Sequence, residues 1–174
     1  MPEGIVTKGI NHKKLRPLIE RVRQRVKKHP TIKKMFEEHG ISLDEIDLIP
    51  MCFAHIDVSA RTDHGIIYFG MKLLDDGDFD NDDHYLVHEI THFLQQTTGN
   101  KPTQGADDGE YLDNPAEMEG FQNQSEYISD TRSDEEADKY INRVLDHHDY
   151  NGKERKEKRK ELLRQALMGS SQIL

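Results

Sequence analysis

The segment 82–98 constrains this chain most, because it predicts one amphipathic helix that carries two histidines. Its apolar residues recur at three- and four-residue spacing, which is typical of a helix with an apolar face. These residues are Leu86, Ile90, Phe93 and Leu94. His88 and His92 lie one turn apart on the other face, where both imidazoles can reach one metal ion.

Glu89 follows the first histidine and completes the run His88-Glu89-Ile90-Thr91-His92. With 10 His and 15 Glu in 174 residues, the composition gives roughly 0.05 chance matches to this pattern, so the run is informative. Glu89 projects near the coordination position that the histidines leave open, where it could deprotonate water and protonate a leaving amine. The run therefore predicts Zn²⁺ bound by His88 and His92, with Glu89 as catalytic base.

The third metal ligand is expected downstream, because a catalytic zinc usually has three protein ligands. No histidine lies between His92 and His147, which leaves a carboxylate. Glu117 and Glu119 stand at the start of a helix predicted to begin at Asn114-Pro115. They point about 200° apart, so only one of them can ligate. Glu117 also fits a capping box with Asn114.

These residues resemble the gluzincin class of zinc peptidases, whose third ligand is a glutamate on a later helix. Short members carry Glu-x-x-Ala-Asp/Asn there, and Glu117-Met118-Glu119-Gly120-Phe121 is similar, with Glu117 as the implied ligand. Phe121 stands where a polar residue is common, so polar support of a zinc histidine must come from elsewhere. The candidates for that support are Thr91, Asp57 and Asp113.

The run His88–Thr98 also resembles peptidase domains of phage and contractile-injection-type loci, over about residues 64–128. The resemblance implies a zincin-like domain with a metal-site core at about 51–130. It also implies that an edge strand at about 65–70 binds the substrate backbone.

The order of predicted elements is helices, a small sheet or hairpin, and then helices, which is an α+β arrangement in a single domain, 1–174. Strands are expected at 51–59 and 66–69, paired as a hairpin through a turn at 61–65. Besides 82–98, helices are predicted over 11–29, 31–39, 114–129, 133–147 and 153–168, with a helical turn or link at 43–49.

A transition-state stabiliser requires a hydrogen-bond donor near the developing oxyanion. Tyr127 and His147 follow the predicted third ligand and are the candidates for this role. Tyr111 and His148 are also available, and the sequence does not choose among the four.

Charge divides the chain into basic ends, 8–34 and 153–168, and an acidic middle. Residues 8–34 hold eleven Lys/Arg against one acid, and residues 153–164 hold seven against three. Residues 35–150 hold six basic and 28 acidic residues. Basic helices packed near acidic segments would account for this. Nucleic-acid binding is the less favoured interpretation, because no aromatic residues are interleaved with the basic ones.

Function and location follow from these features as expectations. No apolar run approaches the roughly 20 residues of a membrane span, and no signal-like run begins the chain. We expect a cytoplasmic protein, or one released without a Sec-type signal, that hydrolyses a peptide or protein substrate as a zinc metallopeptidase and has no membrane partner. The alternative is a zincin-fold module that binds zinc without cleaving, as a structural or regulatory part of a phage or toxin. The sequence leaves the oligomeric state open.

Overall fold

The computed structural model describes residues 5–75, 78–99 and 108–167, which fall into two compact units divided after residue 100. The first contains helices and a three-stranded sheet, and the second is helical, so the α+β prediction is confirmed. Within the described part of the chain, no helix combines the length and apolar character that crossing a membrane requires.

The first unit begins with α1 (His12–Lys27) and α2 (Pro30–Glu38), followed by a 3₁₀ helix, Leu43–Leu48. The side chain of Asn11 caps α1 by accepting a hydrogen bond from the backbone N–H of Lys14. These elements match the sequence prediction because apolar spacing and capping residues agree locally.

The sheet follows as β1 (Met51–Ala54), β2 (Ala60–Asp63) and β3 (Ile66–Gly70), and then come α3 (Lys72–Asp75) and α4 (His84–Thr98). The spatial order is β1-β3-β2, with β1 parallel and β2 antiparallel to β3. The predicted hairpin between the strands at 51–59 and 66–69 is therefore wrong. The hairpin partner of β3 is β2.

The sequence pattern did not predict β2, because its residues Arg61-Thr62-Asp63 are polar and are typical of a turn. The turn itself is only His64 and Gly65, whose φ angles of 51° and 77° fit a two-residue hairpin turn. Because β3 is paired on both sides, the expectation that residues 65–70 form a substrate-binding edge strand is also wrong. The outer strands of the sheet are β1 and β2.

Glycine is required at Gly70, the last residue of β3. A Cβ atom there would lie 2.3 Å from the backbone oxygen of Val58, well inside contact distance. The close approach lets the segment between β1 and β2 pass against the end of β3.

A buried arginine ties α1 to the 3₁₀ helix. Arg23 is 5% exposed, and its Nη1 donates to the carbonyl oxygens of Ile46 at 2.6 Å and Ile49 at 2.8 Å. Its Nε donates to Glu20 at 3.1 Å. These bonds satisfy carbonyl groups that the end of a short helix leaves without internal partners.

Other basic residues of α1 pair with acids of the same unit. Nη2 of Arg21 lies 2.6 Å from Oδ2 of Asp80. The hydrogen bond from Arg21 lowers the pKa of the Asp80 carboxyl. The further pairs are Arg25 with Asp83 at 3.2 Å and Lys27 with Asp47 at 2.6 Å.

The second unit has a 3₁₀ helix, Asp108–Asp113, followed by α5 (Pro115–Thr131), α6 (Asp134–His147) and α7 (Gly152–Leu162). A helical turn at 164–167 follows α7, and residue 168, the predicted end of the last helix, lies outside the described residues. Basic residues of α7 also pair within their unit: Lys158 with Asp113 at 2.6 Å, Arg155 with Asp146 at 2.6 Å, and Arg159 with Asp138. The pairs in both units support the interpretation that basic helices pack near acidic segments, and a nucleic-acid partner stays a prediction.

Replacing Arg23 by methionine should lower the free energy of unfolding by about 2–4 kcal/mol, because two buried carbonyl groups lose their donor. Urea unfolding followed by circular dichroism measures the change. Arg21→Met is the matched control, and its effect should be much smaller because the Arg21–Asp80 pair is exposed. Equal losses in the two variants would contradict the role given to Arg23.

Candidate metal centre

α4 is buried on both of its faces. Of its four predicted apolar residues, Leu86, Ile90 and Leu94 have no exposed surface, and Phe93 is half-buried. The polar face is buried too, with His88 at 6% and His92 at 1% exposure. Buried polar groups are costly unless they have partners, so this face must be satisfied by hydrogen bonds or by a metal.

Three side chains gather as the sequence predicted. The ligand atoms offered by His88, His92 and Glu117 all lie within 4.8 Å of one another, and all three residues are buried. In the described part of the chain, this is the one group of His, Cys, Asp or Glu residues that could hold a metal ion.

The separation of these atoms fits a small metal ion. Tetrahedral bonds of about 2.1 Å place the ligand atoms about 3.4 Å apart. A mutual distance of at most 4.8 Å is compatible with that arrangement. A carboxylate that is 2% exposed, as Glu117 is, also favours a cation beside it.

The start of α5 positions Glu117. The side chain of Asn114 caps the helix by accepting from the N–H of Ala116 at 2.8 Å, with Pro115 as the first helical residue. The backbone N–H of Asn114 donates to the carbonyl of Tyr111 at 3.3 Å. A capping box would direct that N–H to Glu117, so the capping interpretation of Glu117 is wrong.

Between the two candidate glutamates, the structure brings Glu117 to the histidines. Glu119 is partly exposed and is not a member of the group. The two residues were expected to point in different directions on one helix, and the observed group is consistent with that.

A hydrogen bond sets the orientation of His92. Its Nδ1 lies 2.9 Å from Oε1 of Gln95, one turn further along α4, and Gln95 is 1% exposed. An amide oxygen can only accept, so Nδ1 of His92 is the donor in this hydrogen bond. Donation to a neighbouring oxygen is how metal-binding histidines are commonly held and made more basic.

Gln95 was missed in the sequence, although its spacing of three residues from His92 could have identified it. The residues named for this support have other contacts. The Thr91 hydroxyl donates to the carbonyl of Val87, and Asp113 pairs with Lys158. Asp57 is exposed.

Glu89 is 5% exposed and is held by β2. The Thr62 hydroxyl lies 2.9 Å from Oε1 of Glu89 and 3.0 Å from its backbone oxygen. Among the residues that the structure describes, none hydrogen-bonds the second carboxylate oxygen, Oε2. That oxygen is therefore available to accept a proton.

The structure places Tyr127 away from Glu117 along α5. Tyr127 is ten residues further along α5, about 15 Å at the rise of a helix, and is 1% exposed. His147 is exposed at the end of α6.

His148, which follows α6, is influenced by Glu117. Burial, and then the neighbouring His147, lower the pKa of its imidazole, while the Glu117 carboxylate opposes this shift. The ring stacks on Tyr111 with centroids 4.7 Å apart, and Tyr111 also packs edge-on against Phe121. Phe121 therefore contributes to packing around this histidine.

Comparison with protein-family models, with curated proteins and with solved structures found no match. Function must therefore be inferred from the residues of the site.

If this group holds a metal ion, replacing Gln95 by methionine should weaken its affinity for the metal by about 10- to 100-fold, because His92 loses the acceptor that fixes its orientation. Competition with a chromophoric chelator measures the affinity. Gln96→Met is the matched control, since the side chain of the adjacent Gln96 donates to the backbone oxygen of Thr62 and not to an imidazole. Unchanged affinity in the Gln95 variant would contradict the role of the hydrogen bond.

Proposed function

We propose that this protein is a zinc-dependent peptidase. The observation that carries the proposal is the buried group of His88, His92 and Glu117, with Glu89 next to the first histidine. Two imidazoles and a carboxylate, together with an adjacent glutamate, are what metal-assisted peptide hydrolysis needs.

The donor set favours zinc. Imidazole nitrogen and carboxylate oxygen are common zinc ligands, and three protein ligands leave one position open, as in catalytic sites. Zinc, when bound, supplies a Lewis acid that polarises the substrate carbonyl and makes water more acidic.

Glu89 would act first as base and then as acid. Its Oε2 takes a proton from the water that attacks the peptide carbonyl, and the carboxyl group then donates that proton to the leaving amine. Its location on α4, one residue after His88, supports this assignment. Burial at 5% exposure limits competing contacts with solvent.

The resemblance to gluzincins supports the same assignment and adds a fold and a class. The helix with its two histidines and the later helix with Glu117 occur in the order that the class has. We extend the proposal to a zincin-like fold and a peptide or protein substrate on this basis.

Metal content tests the ligands. Glu117→Gln should lower the zinc bound per chain well below that of the wild type, because an amide is a poor substitute for a carboxylate ligand. Glu119→Gln is the matched control and should bind zinc like the wild type. Atomic emission analysis of dialysed protein measures both. Loss of zinc only in the Glu119 variant would reverse the assignment.

Activity tests the chemistry. Glu89→Gln should keep its zinc and lose cleavage by at least about 100-fold, because the amide cannot accept the proton. Mass spectrometry of a mixed peptide library incubated with each protein measures cleavage, with a chelator-treated sample as control. A wild type that binds zinc but cleaves no peptide would instead support the non-catalytic zinc-binding module.

A further inference from the structure

The side chain of Thr62, in the outer strand β2, contacts Glu89, the proposed catalytic base. Thr62 is paired with Ile67 of β3 and is 1% exposed. Its hydroxyl lies within hydrogen-bond distance of both Oε1 and the backbone oxygen of Glu89. The neighbours of Thr62 in β2, Arg61 and Asp63, form an ion pair with each other at 3.1 Å.

We infer that Thr62 is a positioning residue for Glu89, an inference that rests on the proposed peptidase function. A glutamate side chain has several rotamers, and a base works only when its oxygen lies within reach of the proton that it takes. The bond to Oε1 fixes one carboxylate oxygen to the sheet. The other oxygen, Oε2, is thereby restricted to fewer positions, on a residue that directly follows His88 in the sequence.

The contact between Thr62 and Glu89 could orient the carboxylate or could simply hold β2 against α4. Its chemistry favours the first role. A strand can be joined to a helix by apolar packing, yet this position carries a hydroxyl whose proton has two acceptors on the same residue. The backbone oxygen holds the hydroxyl in place, and the carboxylate oxygen is held by the hydroxyl. A buried carboxylate also needs a donor, and Thr62 supplies one without adding a charge.

Kinetics test the inference on the full zinc-loaded chain. Thr62→Val, which keeps the β-branched shape, should lower kcat about 10- to 100-fold, with KM changed by no more than about twofold and zinc content unchanged. Thr62→Ser should restore most of kcat because it keeps the hydroxyl. Thr98→Val is the matched control on α4, since the Thr98 hydroxyl donates to the backbone oxygens of Leu94 and Gln95, and it should behave like the wild type.

A second measurement needs neither zinc nor activity. In metal-free protein, Thr62→Val should lower the urea midpoint more in the wild-type background than in the Glu89→Ala background. Glu89→Ala removes the carboxylate acceptor but keeps the backbone oxygen, so the difference isolates the bond to Oε1. If Thr62→Val does not fold, Thr62→Ala replaces it in both measurements.

The outcomes separate the inference from the function on which it rests. Cleavage by the wild type together with undiminished kcat in Thr62→Val overturns the inference and leaves the peptidase function intact. Equal midpoint shifts in the two backgrounds overturn it as well. No cleavage by the wild type overturns the peptidase function, and the positioning role falls with it even where the coupling of Thr62 and Glu89 is found.

Discussion

The burial of polar side chains on α4 is the constraint on which the candidate site depends. A helix packed on both faces normally carries apolar residues all round, because an unpaired polar group in the interior costs free energy. Here His88, Glu89 and His92 are at most 6% exposed. The fold can keep them inside only by surrounding them with matched donors, acceptors and ligands.

Two hydrogen bonds satisfy buried polar groups of α4. Gln95 accepts from His92 within the helix, and Thr62 donates to Glu89 from the sheet. The first contact fixes the orientation of the imidazole, and the second fixes Oε1 of the carboxylate. The polar face of α4 is thus organised as a set of oriented groups, which is what a metal-dependent reaction requires.

The charged ends of the chain have a simpler explanation. Arg21 and Arg25 pair with acids next to the start of α4, while Lys158 and Arg159 pair with acids of the second unit. Exposed pairs of this kind add little stability individually. They neutralise, within each unit, the charge segregation that is evident along the sequence. Arg23 differs because it is buried and satisfies carbonyl groups directly.

The sequence by itself determined the longer helices and the two histidines of the candidate metal site. Apolar spacing and capping are local properties, and a pair of histidines four residues apart on a helix shares a face whatever surrounds it. The absence of a later nearby histidine also directed attention to Glu117 and Glu119. These inferences needed no knowledge of which segments meet in space.

Tertiary structure alone decided the sheet, the choice of glutamate and the contacts that orient the site. In β2, Thr62 contacts a carboxylate, and its neighbours Arg61 and Asp63 form an ion pair. All three residues are polar, so the sequence pattern of the strand resembled that of a turn. The parallel pairing of β1 with β3 joins residues distant in sequence, which local patterns do not record. Glu117 was separated from Glu119 only by its place beside His88 and His92. Partners of buried polar groups are chosen by packing across the fold, and for that reason only the folded chain identifies Thr62 as the partner of Glu89.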